Sequence, residues 1–203
     1  MIMSNKELHS DPESAKLGMW IFIFTEILLF GGLFIVYSIT RSKYPHEFHG
    51  AATFLNAVFG AVNTVILLVS SATVAMAITA IQKSDNKLAS RLVLITIFCA
   101  LIFLVNKYFE WGEKFHYGLY PGSDVMLELS RGYLLFFSLY FFMTGLHALH
   151  IIIGMTILVI VYFKITSGKI NQKGFVLLEN GALYWHLVDL IWIFLFPMLY
   201  LIT

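Results

Sequence analysis

Residues 132–163 read GYLLFFSLYFFMTGLHALHIIIGMTILVIVYF, a 32-residue stretch without Asp, Glu, Lys or Arg. A bilayer core about 30 Å thick needs about 20 apolar residues in a helix. This segment is therefore long enough for a tilted helix that continues beyond the membrane. Working outward, 17–40 supplies a second span, interrupted only by Glu26, and 54–81 supplies a third without any charge. The run that begins at residue 92 continues through Lys107 toward Trp111, and 175–202 carries Glu179 and Asp189. Alternation of apolar and polar residues, the pattern of a membrane barrel, is absent, and backbone in lipid must then satisfy its own hydrogen bonds within helices. The expected fold is an all-α polytopic membrane protein. Five transmembrane helices (17–40, 54–81, 92–111, 132–163 and 175–202) form a single domain over 17–203, behind a polar segment at 1–16.

Composition agrees with that reading. Of 203 residues, 59% are hydrophobic and 12% charged, with a mean hydropathy of +0.82. A soluble domain carries about 25% charged residues, because it needs them to face water. The formal net charge is +1 and the basic residues are scattered singly, so nucleic acid is not an expected partner. Cys99 is the single cysteine, which excludes an internal disulfide and a cysteine metal cluster. Residues 1–16 are polar and mixed in charge (Lys6, Glu7, Asp11, Glu13, Lys16). They lack the pattern of a cleaved signal peptide, so the first apolar segment is expected to stay in the mature protein.

The loops alternate in basic content. Lys6, Lys16, Lys83, Lys87, Arg91, Lys164, Lys169 and Lys173 fall on one side, and Arg41, Lys43, Lys114 and Arg131 on the other, with Lys107 left aside. Eight against four places the N-terminus in the cytoplasm and the C-terminus outside.

An ionisable group at membrane depth is costly and marks a functional candidate, with pairing inside the bundle as the plainer explanation. Glu26 lies about 14 Å into the first span at 1.5 Å per residue. His147 and His150 sit near the middle of the fourth, three residues apart and so on one helical face. His186 and Asp189 repeat that spacing in the fifth, Glu179 precedes His186 by seven, and Glu110 and Glu113 lie toward the outer end of the third. Groups at similar depth on different helices suggest a polar seam of hydrogen-bonded carboxylates and imidazoles, with His147 and His150 the nearest candidates to meet Glu26. No metal is expected. A di-iron bundle needs two Glu-x-x-His motifs and two further carboxylates, and only Glu113-Lys-Phe-His116 matches, at a membrane edge. His147 with His186 could be drawn as a bis-imidazole heme site, but nothing else in the chain supports it.

Trp20 and Trp111 fall near span ends, as interface anchors do, whereas Trp185 and Trp192 lie seven apart, where helix packing is the expected role. Gly31, Gly32, Gly145 and Gly154 would permit close helix approach.

Taken in order, these segments resemble a known family. Lys16-Leu17-Gly18-Met19-Trp20, with Glu26 after five further residues, is similar to the helix of heme–copper terminal oxidase (cytochrome c oxidase) subunit III that carries its intramembrane carboxylate. Asn63-Thr64, Leu67-Leu68 and Ser70-Ser71 are similar to the next helix. Glu110-Trp111 resembles the Glu-aromatic pair closing the one after, although Lys107 stands where many members have Gln. Gly145-Leu146-His147-Ala148-Leu149-His150 with Gly154 resembles the family's Gly-x-His-x-x-His-x-x-x-Gly signature. Tyr184 to Trp192 resembles its closing Trp-His-x-x-Asp-x-x-Trp run. The resemblance covers nearly the whole chain and points to the shorter five-helix bacterial type. It implies a non-catalytic subunit in a bacterial plasma membrane, with no cofactor of its own. Heme and copper would be held by partner subunits I and II. It also implies bound phospholipid, contacted at Trp20 and Arg41, support of proton uptake and turnover by subunit I, and membership of a larger respiratory supercomplex as an option. Cytochrome c or quinol stays open as donor, because electrons enter through other subunits. The alternative is a stand-alone proton or small-solute transporter. Such folds break helices with Gly or Pro in matching halves, and here the only proline well inside a span is Pro197.

Overall fold

A computed structural model of the chain describes residues 12–172 and 174–201. Lys6, Glu7, Asp11, Lys173, Ile202 and Thr203, on which some of the expectations above fall, lie outside the described residues. In order, the helices are α1 (Pro12–Lys43), α2 (Pro45–Ala52), α3 (Ala57–Gln82), α4 (Asn86–His116), α5 (Asp124–Glu128), α6 (Arg131–Thr166) and α7 (Val176–Phe196). A π-helical turn, Pro197–Leu201, continues α7. Among the described residues five helices (α1, α3, α4, α6 and α7 with its π turn) are long and apolar enough to cross a membrane.

The helix limits follow from capping chemistry. Asn56 Oδ1 accepts the Val58 N–H at 3.0 Å and starts α3 there, so 53–56 is a turn and not span. Asp85 Oδ1 accepts the Leu88 N–H at 2.9 Å, which begins α4 six residues before its apolar run. Side-chain caps of this kind satisfy backbone donors that a helix start leaves free. At the other end α4 runs through its charged residues to His116 and stops before Gly118, whose φ of 67° suits glycine. Apolar content marks the part of a helix in lipid, and caps mark the helix. The stretch between the first two spans contains α2, which hydropathy alone does not distinguish from loop. Pro45 opens it at a position where a missing N–H costs nothing, and Phe48, Ala51 and Ala52 on it are buried.

The core lies where α3, α4, α6 and α7 meet, with Trp185, Trp192, Tyr140, Phe103 and Phe137 fully buried. Apolar side chains gain little by leaving lipid for a protein interior, so close packing and hydrogen bonds hold such a bundle together. Gly154 of α6 is one place where this shows: a Cβ there would stand 2.9 Å from ring atoms of both Trp185 and Tyr184. Gly31 and Gly32 do not serve close approach as expected, since nothing lies within 4 Å of a Cβ at either. They sit on the outer part of α1, away from its packed stripe.

That stripe is narrow. Ile23, Phe30 and Tyr37, spaced by seven, are the buried residues of α1 among those described. Polar contacts hold the helix at three depths. Lys16 Nζ pairs with Glu179 at 2.9 Å, Glu26 meets His150, and the Tyr37 hydroxyl donates to the Met198 carbonyl at 2.5 Å.

Candidate functional site

Of the two histidines at the depth of Glu26, His150 is its partner. His150 Nε2 lies 3.0 Å from Glu26 Oε2, and its Nδ1 lies 2.7 Å from the Leu146 carbonyl one turn back. A carbonyl can only accept, so Nδ1 carries a proton. Nε2 then either accepts from a protonated Glu26 or donates to an ionised one. Either way one proton is shared and the pair is neutral overall, which suits a site within the bilayer. Phe30 meets the imidazole edge-on at 5.4 Å between centroids and Tyr184 stacks at 6.4 Å. The Tyr184 hydroxyl donates to the His150 backbone carbonyl at 3.1 Å. The pair thus ties peripheral α1 to α6 and α7.

Glu110 belongs to a second cluster, centred on Lys107. That side chain is only 3% exposed. Its ammonium donates to Glu110 Oε2 at 3.1 Å, to the Tyr200 hydroxyl at 2.9 Å and to the Tyr140 hydroxyl at 3.3 Å. Both phenols in turn donate to Glu110 Oε1, Tyr140 at 2.5 Å. The rings of Tyr140, Trp192 and Tyr200 surround the charge at 5.0–5.6 Å. Buried charges are tolerated when they are paired and every remaining donor is used. The cluster fastens α4, α6 and the π turn to one another.

The other expected residues go elsewhere, so the single polar seam divides into separate places. His147 is fully buried between Phe103 and Trp192, stacked on the latter at 5.2 Å, with neither ring nitrogen bonded. His186 Nδ1 lies 2.7 Å from Ser71 Oγ across the α3–α7 contact. In the same contact the indoles of Trp185 and Trp192 donate to Ser70 and Thr64, both at 3.0 Å. Asp189 is buried there with neither oxygen in a hydrogen bond, while Glu179 faces Lys16 near the N-terminal end of α1. His147 and His186 thus have different surroundings. Glu113 pairs with neighbouring Lys114 at 3.3 Å and His116 lies against Tyr117. Among the described residues no three His, Cys, Asp or Glu side chains converge as metal ligands. Trp20 is 59% exposed. Arg41 borders a groove with Tyr37, Ser42 and Met198.

Sequence reasoning missed Tyr140, Tyr200 and the central place of Lys107. The signal present was a lysine three residues before a glutamate in an otherwise apolar run, a spacing that puts both on one helical face.

The chain is similar in sequence to known proteins. The family model for cytochrome c oxidase subunit III matches residues 9–203. Cytochrome c oxidase subunit 3 of Thermostichus vulcanus is 30% identical over 196 residues, covering 96% of this chain and 90% of its own length. Heme-copper oxidase subunit I+III of Aeropyrum pernix is 28% identical over 197 residues, 94% of this chain and 23% of that longer one. A probable quinol oxidase subunit 3 of Staphylococcus saprophyticus is 27% identical over 189 residues, 92% of this chain and 88% of its own length. A match over nearly the whole chain, on a multi-pass helical membrane fold, shows that this protein belongs to the cytochrome c oxidase subunit III family of heme–copper oxidases.

Proposed function

We propose that the chain is the subunit of a bacterial plasma-membrane oxidase that packs beside subunit I, binds phospholipid near Trp20 and Arg41, and supports proton uptake and sustained turnover. Subunits I and II hold the heme and copper and do the oxygen chemistry. The observation that carries this reading is the Glu26–His150 pair, a neutral pair of titratable groups fastening the peripheral helix α1 to the bundle at mid-membrane depth. The relative from Aeropyrum pernix, named as subunits I and III in one chain, supports adjacency to subunit I. The eight-to-four distribution of basic residues supports a cytoplasmic N-terminus. A reporter fused after residue 203 and active only outside the cytoplasm is the expected result, and activity inside contradicts the orientation.

The pair itself is tested by substitution. Glutamine can donate to His150 Nε2 and keep the contact, so Glu26→Gln should assemble normally. Glu26→Leu leaves the buried imidazole nitrogen without a partner, at a cost of roughly 1–3 kcal/mol, and should loosen α1. The test reads subunit retention and oxidase turnover side by side. A packing role predicts that Glu26→Gln keeps both, and a role in proton delivery predicts retention with altered turnover. Complete assembly and unchanged turnover in Glu26→Leu would leave the pair with neither role.

A further inference from the structure

Lys114 and Glu113 take no part in the Glu26–His150 pair or in the hydrogen bonds of the Lys107 cluster. They border a cavity of about 510 Å³ at the C-terminal end of α4, with Phe54, Tyr117, Val125 and Leu129 among its other walls. Those walls are held in place. Gly118, at φ 67°, turns the chain away from α4, and the Leu119 N–H donates back to the Lys114 carbonyl at 2.9 Å. Ser123 Oγ accepts the Met126 N–H at 3.1 Å and so starts α5 just beyond the turn. The two charges differ in burial. The Lys114 side chain is 3% exposed, and among the described residues its ammonium has one partner, Glu113 Oε2 at 3.3 Å. The Glu113 side chain is 52% exposed. An ammonium carries three donors, and a buried one is costly unless they are used. Phe54, Tyr117 and Val125 leave apolar surface exposed beside the cavity.

We propose that this cavity binds the headgroup of a zwitterionic aminophospholipid, its phosphate on Lys114 and its primary ammonium on Glu113. The charges match in sign and in order. Within a leaflet the phosphate lies nearer the acyl chains and the terminal ammonium nearer water, and here the cation is buried while the carboxylate reaches the surface. Phosphate oxygens accept the unused Lys114 donors in charge-assisted bonds. The lipid ammonium donates to Glu113, so neither side chain loses a counter-charge when the headgroup enters between them. The volume suits a headgroup with its glycerol, and the acyl chains lie outside, along Phe54, Tyr117 and Val125. A lipid with a phosphate alone would satisfy Lys114 and offer Glu113 no cation. The cavity shares no residue with those at Trp20 and Arg41. It is thus a lipid site separate from the contacts proposed above, and it stands without them.

Lipid titration of the assembled complex tests the assignment. The complex is stripped of lipid in detergent and titrated with phosphatidylethanolamine or phosphatidylglycerol, and native mass spectrometry counts what stays bound. The difference between wild type and Lys114→Met isolates this site. Phosphatidylethanolamine binding there should fall on the order of 10-fold in Lys114→Met, as expected for losing a hydrogen bond between charged groups. The wild type should prefer phosphatidylethanolamine to phosphatidylglycerol at this site, and Glu113→Gln should abolish that preference. Lys164→Met, on α6 at the opposite end of the bundle, should bind as the wild type does. Should Lys114→Met fail to assemble, Glu113→Gln, at a half-exposed position, carries the test through the preference. Equal phosphatidylethanolamine binding by wild type and Lys114→Met overturns the proposal. So does a wild-type site that takes phosphatidylglycerol as well or better, or an equal loss in Lys164→Met. Because assembly with a heme-bearing partner is a separate measurement, losing this site would leave the oxidase reading standing.

Discussion

Replacing Glu110 with alanine is expected to destabilise the bundle by about 3–5 kcal/mol, the cost of leaving a buried charge without its counter-ion. The Lys107 ammonium would keep only the Tyr140 and Tyr200 oxygens, each of which has lost the carboxylate it donates to. Lys107→Met should cost less, because both phenols still donate to Glu110 after the ammonium is gone. The pair exchanged together, Lys107→Met with Glu110→Gln, should return close to wild-type stability, since no charge is left in the cluster and the amide oxygen still accepts from the phenols. Thermal unfolding of the four proteins in one detergent measures the order. If the double variant is as unstable as Glu110→Ala, the cluster acts through shape alone and the electrostatic account fails.

The second large effect is steric. A methyl group at Gly154 would sit 2.9 Å from Tyr184 and Trp185 ring atoms. Both rings are fixed, the Trp185 indole by its bond to Ser70 and the Tyr184 hydroxyl by its bond to the His150 carbonyl. Gly154→Ala must therefore part α6 from α7, at roughly 1–3 kcal/mol for an overpacked core, and Gly154→Leu should prevent the contact. Gly31→Ala and Gly32→Ala provide the comparison: with nothing within 4 Å of either, they should fall within about 0.5 kcal/mol of wild type, as surface substitutions do. Retention of the subunit in the purified complex and its unfolding temperature separate the two groups. Equal tolerance at Gly154 and Gly31 would mean that α6 and α7 do not pack as described.

Much of this architecture is legible in the sequence, for reasons particular residues illustrate. Runs of 20 or more apolar residues have one stable solution in lipid, so hydropathy alone is enough to count the five spans. Their ends are not legible in that way, because Asn56 and Asp85 start helices by capping chemistry that a hydropathy pattern does not register. α2 is invisible because eight residues with three buried carry no periodic signal of their own. Depth is readable along a helix, which narrows the partner of Glu26 to His147 or His150. The choice between them depends on the rotation of α6 about its axis. That rotation turns His147 toward Phe103 and Trp192 and leaves His150 to α1. Tyr140 and Tyr200 escape for another reason: 60 residues apart in the chain, they converge on Glu110 only once the bundle is assembled.

The claim that this chain is one subunit of a heme–copper oxidase is tested most directly by what it holds on to. The tagged chain, solubilised from its native membrane in mild detergent and purified, should migrate as a single complex with a heme-bearing partner, visible in the absorption spectrum and present in fixed proportion to the tag. A chain that emerges folded, alone and without any heme-bearing companion would contradict the account and favour a solitary transporter.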